Sequence, residues 1–136
     1  MTRNILSTLA GLLVAVAFVF LIELISHRIW PPPAAISDMS DKEALRNAVA
    51  AMPFGSLASV ALAWIAGAFS GGFVAAKLSR KAVPAWIVGG FIALSGIGNL
   101  MMIPHPFWFW IVAIVLVPAV TLAAARLGAP RVPASP

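Results

Sequence analysis

The sequence has no cysteine and very little charge. Without cysteine, the protein forms no disulfide, no thiolate metal site and no thiol redox centre. Only 10% of its 136 residues are charged, whereas charged residues make up about 25% of an ordinary soluble domain. Because 62% of the residues are hydrophobic, the composition also excludes a disordered chain. The sequence therefore predicts a protein that is folded but not water-soluble.

The common catalytic and nucleic-acid-binding signals are missing as well. There is no glycine-rich phosphate loop, no nucleophile elbow and no zinc-protease helix motif, so an enzyme is the least favoured class. The net charge is +5, but no basic cluster is longer than a few residues, which argues against a nucleic-acid partner. In an apolar chain, an excess of lysine and arginine instead indicates membrane orientation.

Four apolar runs are each long enough for a membrane-spanning helix, which needs about 20 residues. The first is interpreted as a retained span rather than a cleaved signal peptide, because Glu23 lies inside it. Pro118 is expected to kink the fourth helix and to free the carbonyl group of Ile114. We predict one all-α membrane domain over residues 1–136, with four helices in an up-down bundle. The expected spans are about 5–27, 54–76, 84–103 and 107–126.

A short amphipathic helix is predicted at about 41–52, in the long loop between the first two spans. Ser40 and Glu43 have the spacing of a capping box, with Ser40 as the N-cap. This helix is expected to lie on the outer membrane surface, either as a simple cover for the bundle or as a lid over a site beneath it. Its apolar face would consist of Leu45, Ala48, Val49 and Met52.

Basic residues are unevenly distributed between the two ends of the predicted spans. One side would carry six of them and no acidic residue, whereas the other would balance Arg28, Lys42 and Arg46 against Asp38, Asp41 and Glu43. By the positive-inside rule, both termini are predicted in the cytoplasm, and the spans cross a bacterial inner (plasma) membrane. The six residues are Arg3, Lys77, Arg80, Lys81, Arg126 and Arg131.

A row of small residues follows one face of the second span. Its members are four residues apart: Ser59, Ala63, Gly67, Gly71 and Ala75. Small residues let helices approach closely within a membrane. The first span has a similar row of Ser7, Gly11 and Ala15. The pattern predicts either close packing inside the monomer or an interface for a homo-oligomer or another membrane protein.

Polar side chains concentrate at one depth, near the outer ends of the spans. Glu23 and His27 lie one turn apart in the first span, Asn99 lies near the end of the third, and His105 lies in the following turn. An ionisable group inside a membrane is expensive and is a candidate functional group for that reason. Glu23, His27, Asn99 and His105 are therefore the predicted ligand-binding or ion-binding residues.

Three chemistries fit these residues. Glu23 could bind a cation in competition with a proton. Glu23, His27 and His105 could together bind zinc or another transition metal, which accept imidazole and carboxylate ligands. Haem held by His27 and His105 is the least favoured, because His105 lies in a turn. The competing interpretation is structural: Glu23 would pair with Arg28 or bond to Asn99, and His105 would satisfy backbone groups of its turn.

Two resemblances bear on this pattern. The single glutamate of the first span invites comparison with the small multidrug transporters, but those proteins have short loops and a glutamate near mid-span. The fuller pattern resembles a bacterial family of small four-helix integral membrane proteins, and it implies their fold but no activity. The matching segments are Glu23-x-x-x-His27-x-x-Trp30-Pro31, the glycine-rich second span and Ile103-Pro104-His105-Pro106-Phe107-Trp108.

Two functions remain open from the sequence. One is binding or transport of a cation, a proton or a small ligand near the outer membrane surface, through Glu23, His27 and His105. The other is a non-catalytic accessory or scaffold subunit, which would pack against a partner through the small-residue face of the second span. The lipid bilayer is the expected surrounding in either case.

Overall fold

The computed structural model describes residues 1–31 and 40–129, and these residues form helices but no β-strand. Four helices are long and apolar enough to cross a membrane, so the predicted all-α, four-span fold class is confirmed. A fifth, short helix lies between the first two. The bounds are Thr2–Ile29 for α1, Lys42–Ala50 for α2, Phe54–Ser79 for α3, Val83–Met102 for α4 and Trp108–Gly128 for α5. The predicted loop and terminal charges Asp38 and Arg131 lie outside the described residues.

Helices α1 and α3 pack through small residues. A Cβ atom on Gly11 would lie 2.6 Å from the carbonyl oxygen of Gly71 and 2.7 Å from the Cβ of Ala75. Farther along, the hydroxyl groups of Ser26 and Ser59 are 2.6 Å apart. The early residues of α1 thus contact the late residues of α3, and the late residues of α1 contact the early ones of α3. The two helices therefore run antiparallel.

Trp64 of α3 packs against both of the later helices. Its ring lies 5.6 Å from that of Phe109 in α5, in an edge-to-face arrangement. On α4, a Cβ atom at Gly96 would come 3.1 Å from the indole. Toward the other end of the bundle, Gly89 of α4 contacts Thr121 of α5. Helix α3 therefore contacts α1, α4 and α5.

The short helix α2 has a different cap from the one that the sequence predicts. Asp41, not Ser40, is the N-cap, and its carboxylate accepts hydrogen bonds from the backbone N–H groups of Glu43 and Ala44, each at 3.0 Å. Aspartate is as strong an N-cap as serine, and the helix begins one residue later. Leu45 and Val49 are buried, so part of the predicted apolar face is turned inward.

Helix α5 contains a π-helical segment at Val112–Leu116, just before Pro118. The backbone N–H of Val117 bonds to the carbonyl oxygen of Val112, five residues earlier. A π turn gives the backbone the room that a proline ring needs next to a preceding carbonyl group. The sequence predicts a kink at Pro118; what the structure shows there is a wider, π-helical turn just upstream of the proline.

Candidate functional site

A cleft of about 350 Å³ lies between α1 and α4, with one residue of α3 in its wall. We call it the Glu23 cleft. Its polar lining residues are Glu23 of α1 and Ser95 and Asn99 of α4. The aromatic lining residues are Phe20, Trp64 and Phe91, one from each of α1, α3 and α4. The structure therefore brings two of the predicted site residues, Glu23 and Asn99, to one cavity.

Helical spacing places the lining residues on facing surfaces. In α4, Phe91, Ser95 and Asn99 are four residues apart and share one face. In α1, Phe20 and Glu23 are three residues apart and share another. The cleft is thus formed by two regular helix faces and needs no loop.

The Glu23 carboxylate is partly buried and has no protein partner within residues 1–31 and 40–129. It forms no ion pair with Arg28 and no hydrogen bond with Asn99 in that part of the chain. A carboxylate group on a span is costly unless a positive charge or hydrogen-bond donors compensate it. The cleft therefore presents an acceptor that a ligand could satisfy.

The two histidines lie elsewhere. His27 is exposed on α1 and does not line the Glu23 cleft. His105 is partly buried in the turn after α4, where its Nδ1–H donates to the carbonyl oxygen of Ile103 at 2.9 Å. Its ring also lies 4.6 Å from the ring of Phe109, nearly edge to face. These contacts match the structural interpretation of His105, in which it satisfies backbone groups of its own turn.

The predicted metal site is not assembled. Within residues 1–31 and 40–129, no group of three His, Cys, Asp or Glu side chains is close enough to hold a metal ion. Glu23, His27 and His105 thus do not form the set of ligands that zinc would need. The sequence predicted that these three residues lie at a similar depth in the membrane. Depth alone does not determine which side of its helix a residue faces.

Helix α2 does not cover the Glu23 cleft. It lines a separate cavity of about 510 Å³ at the end of α4, where Lys42 and Arg46 face Met101 and Met102. No residue of α2 lines the cleft itself. The lid hypothesis therefore does not apply to the Glu23 cleft in this structure.

The small-residue face of α3 is turned toward α1. A Cβ atom on Gly67 would come 3.0 Å from the carbonyl oxygen of Ala15, and Gly71 contacts Gly11 directly. Ser59 bonds to Ser26 of α1, and Ala63 and Ala75 are completely buried. In this structure, the face is in contact within the monomer and is not free to receive a partner.

The aromatic wall of the cleft, formed by Phe20, Trp64 and Phe91, was not predicted from the sequence. The four-residue spacing of Phe91, Ser95 and Asn99 was a usable signal, because it places an aromatic ring on the polar face of α4. Nothing comparable indicated Trp64, whose position depends on how closely α3 approaches Gly96. The serine pair between α1 and α3 was also missed, since Ser26 looks unremarkable within an apolar span.

No protein-family model matches the chain, and no curated protein and no solved structure is significantly similar to it. The bacterial family suggested by the sequence pattern accordingly gains no support from these comparisons. Function at the Glu23 cleft has to be inferred from its geometry.

Proposed function

We propose that this protein binds a small organic cation in the Glu23 cleft, within the membrane. Four helices are long and apolar enough to cross a membrane. Binding of an organic cation is proposed from one observation, that a carboxylate, a hydroxyl and an amide line the same cleft as three aromatic rings. Transport of the bound cation across the membrane would be one use of such a site.

An organic cation fits the cleft better than a divalent calcium or magnesium ion. Calcium and magnesium take about six or more oxygen ligands, whereas the cleft offers the side-chain oxygens of only Glu23, Ser95 and Asn99. Aromatic faces attract ammonium groups, and this attraction is strongest where water is excluded. The volume of about 350 Å³ lies near the lower end of the range for small-molecule sites, about 300–1,000 Å³.

Neutralisation of the Glu23 carboxylate would favour binding of a cation. A lone carboxylate within a span is unfavourable, and a bound ammonium group would neutralise it at close range. Asn99 and Ser95 would accept or donate hydrogen bonds to the remaining polar groups of the ligand. The aromatic rings of Phe20, Trp64 and Phe91 would contact the ammonium group and the adjoining apolar part of the ligand.

The proposal includes an orientation. Five of the described basic residues lie at the end of the bundle where α1 begins and α5 ends: Arg3, Lys77, Arg80, Lys81 and Arg126. Under the positive-inside rule this end faces the cytoplasm of a bacterial cell. Glu23 and Asn99 lie toward the opposite end of their helices, so the cleft would be in the outer half of the inner membrane.

Binding of hexyltrimethylammonium to the full chain in lipid nanodiscs tests the proposal. We expect saturable binding to the wild-type protein and at least about tenfold weaker binding to Glu23→Gln, because an interaction with a charged group contributes about 1.5–3 kcal/mol. Equilibrium dialysis with the radiolabelled ligand would give both dissociation constants.

Glu43→Gln is the matched control. It removes the same charge from the exposed surface of α2, away from the cleft, and it should bind like the wild type. Thermal unfolding would verify that both variants are folded. The proposal is wrong if the folded wild-type protein does not bind the ligand, or if Glu23→Gln binds it as well as Glu43→Gln does.

A further inference from the structure

A second cavity lies next to the Glu23 cleft along α1. This second cavity, of about 340 Å³, is lined by Leu9, Leu12, Leu13, Val16 and Phe91. Val16 and Phe91 also line the Glu23 cleft, so the two cavities are neighbours on either side of these two side chains. We call the second cavity the tail groove. Together these adjacent cavities follow α1 on the side that faces Phe91 of α4, and we call the pair the groove.

The polarity of this groove is confined to one end. Every lining residue of the tail groove is apolar. The polar residues Glu23, Ser95 and Asn99 all belong to the Glu23 cleft. A molecule that matches the whole groove therefore has one polar end and a long apolar remainder.

Length also points to an extended ligand. Leu9 and Glu23 are fourteen residues apart on a continuous helix, which corresponds to about 21 Å at 1.5 Å per residue. A compact cation would occupy only the Glu23 cleft. A molecule with an alkyl chain would reach past Val16 into the tail groove.

Resting on the proposed function, we infer that the ligand is a single-chain cationic amphiphile. Its ammonium group would lie at Glu23 and Asn99, and its alkyl chain would follow α1 toward Leu9. The charge of the lining selects the head group, because Glu23 is the only charged residue among the described residues that line the two cavities. An anionic head group would meet like charge and no basic side chain.

A chain-length comparison tests this inference on the full chain in nanodiscs. Hexyltrimethylammonium and hexadecyltrimethylammonium have the same head group and differ only in the tail. Since the longer chain also dissolves in the lipid, binding is taken as the difference between the wild type and Glu23→Gln. Leu13→Trp should weaken binding of the hexadecyl ligand about tenfold more than binding of the hexyl ligand, because the indole would fill part of the tail groove.

Leu6→Trp is the matched control. Leu6 is an exposed leucine on the same helix and does not line either cavity. Its replacement should leave the ratio of the two dissociation constants unchanged. If Leu13→Trp fails to fold, as judged by thermal unfolding and elution volume, Leu9→Trp makes the same test at a position of the tail groove farther from Glu23.

The outcomes separate this inference from the proposed function. If both ligands bind in a Glu23-dependent way but the Trp variants weaken them equally, the tail groove is not used, whereas the cation site stands. A Trp variant that changes the oligomeric size and leaves the ratio unchanged would show that a second copy covers the groove, which also overturns the inference. If neither ligand binds in a Glu23-dependent way, the proposed function fails and the inference fails with it.

Discussion

Gly11 lies against the backbone of α3. A Cβ atom there would come 2.6 Å from the carbonyl oxygen of Gly71, closer than real Cβ contacts. Because that oxygen is held by its own helix, the contact is relieved only if α1 and α3 move apart. We expect Gly11→Ala to lower the free energy of unfolding by about 1–3 kcal/mol, the usual cost of overpacking. Unfolding in SDS, followed by tryptophan fluorescence, would measure the change.

Gly90 provides the comparison for that experiment. A Cβ atom at Gly90 would meet no other atom within 4 Å. Alanine is a better helix former than glycine, so Gly90→Ala should raise the free energy of unfolding by about 0.5–1 kcal/mol. If the two substitutions change stability equally, close approach at Gly11 is not what makes glycine necessary there.

At some positions the sequence predicts a type of contact but not the residue that makes it. The spacing of Gly67 and Gly71 predicted close helix contact, but any small-residue face can pack against another, so the partner could not be deduced. Similarly, both Ser40 and Asp41 are suitable caps, and only the backbone decides which one precedes the first helical residue.

Helices α1 and α3 are also joined by a hydrogen bond between side chains. Ser59 Oγ donates to the carbonyl oxygen of Ser56, which leaves Ser26 Oγ to donate to Ser59 at 2.6 Å. Hydrogen bonds between membrane helices contribute about 0.6 kcal/mol on average and at most about 1.7 kcal/mol. Ser26→Ala should therefore lower the free energy of unfolding by about that amount, measured in SDS.

A double-mutant cycle isolates this bond. Ser26→Ala and Ser59→Ala together should lower stability by less than the sum of the single effects, because either one already breaks the bond. Ser7→Ala is the control on α1, since the Ser7 hydroxyl donates only within its own helix, to the carbonyl groups of Arg3 and Asn4. Strictly additive effects of the serine pair would contradict a stabilising interhelical bond.

The elements differ in how well the sequence predicts them. Long apolar runs located the four spans, because a bilayer-spanning helix has a required length and composition. The periodicity of Leu45 and Val49 located α2 as well. Its docking beside the end of α4, rather than over the Glu23 cleft, follows from tertiary contacts that no single helix encodes.

The orientation of the whole molecule can be tested because the chain has no cysteine. A single introduced thiol would be the only one available to a membrane-impermeant maleimide. Asn47 on α2 and Ala82 before α4 are both exposed and uncharged. With the proposed orientation, Asn47→Cys should be labelled in intact bacterial cells, and Ala82→Cys only after the membrane is permeabilised.

The cysteine-free wild type provides the background for this experiment. Neither substitution removes a charge, so the distribution of Lys and Arg that sets the orientation is preserved. Labelling of residue 82 in intact cells would reverse the proposed orientation. It would also move the Glu23 cleft to the cytoplasmic half of the membrane.

The candidate site was predictable only in part. Glu23 and Asn99 could be grouped from their depth, since both lie near the same end of apolar runs. His27 and His105 share that depth but do not line the Glu23 cleft. The aromatic wall and the tail groove depend on which face of α1 is opposite α4, and this is a property of the assembled bundle.

The π segment has a consequence for helical phase. Phe109 and Thr121, both fully buried, contact Trp64 of α3 and Gly89 of α4. They are twelve residues apart, and a regular α-helix would set them about 120° apart around its axis. The wider turn acts as one inserted residue, so their phase is that of residues eleven apart, about 20°. Helix α5 thus contains one residue more than a regular α-helix would need to bring Phe109 and Thr121 to the same side. That extra residue is accommodated in the π segment just before Pro118.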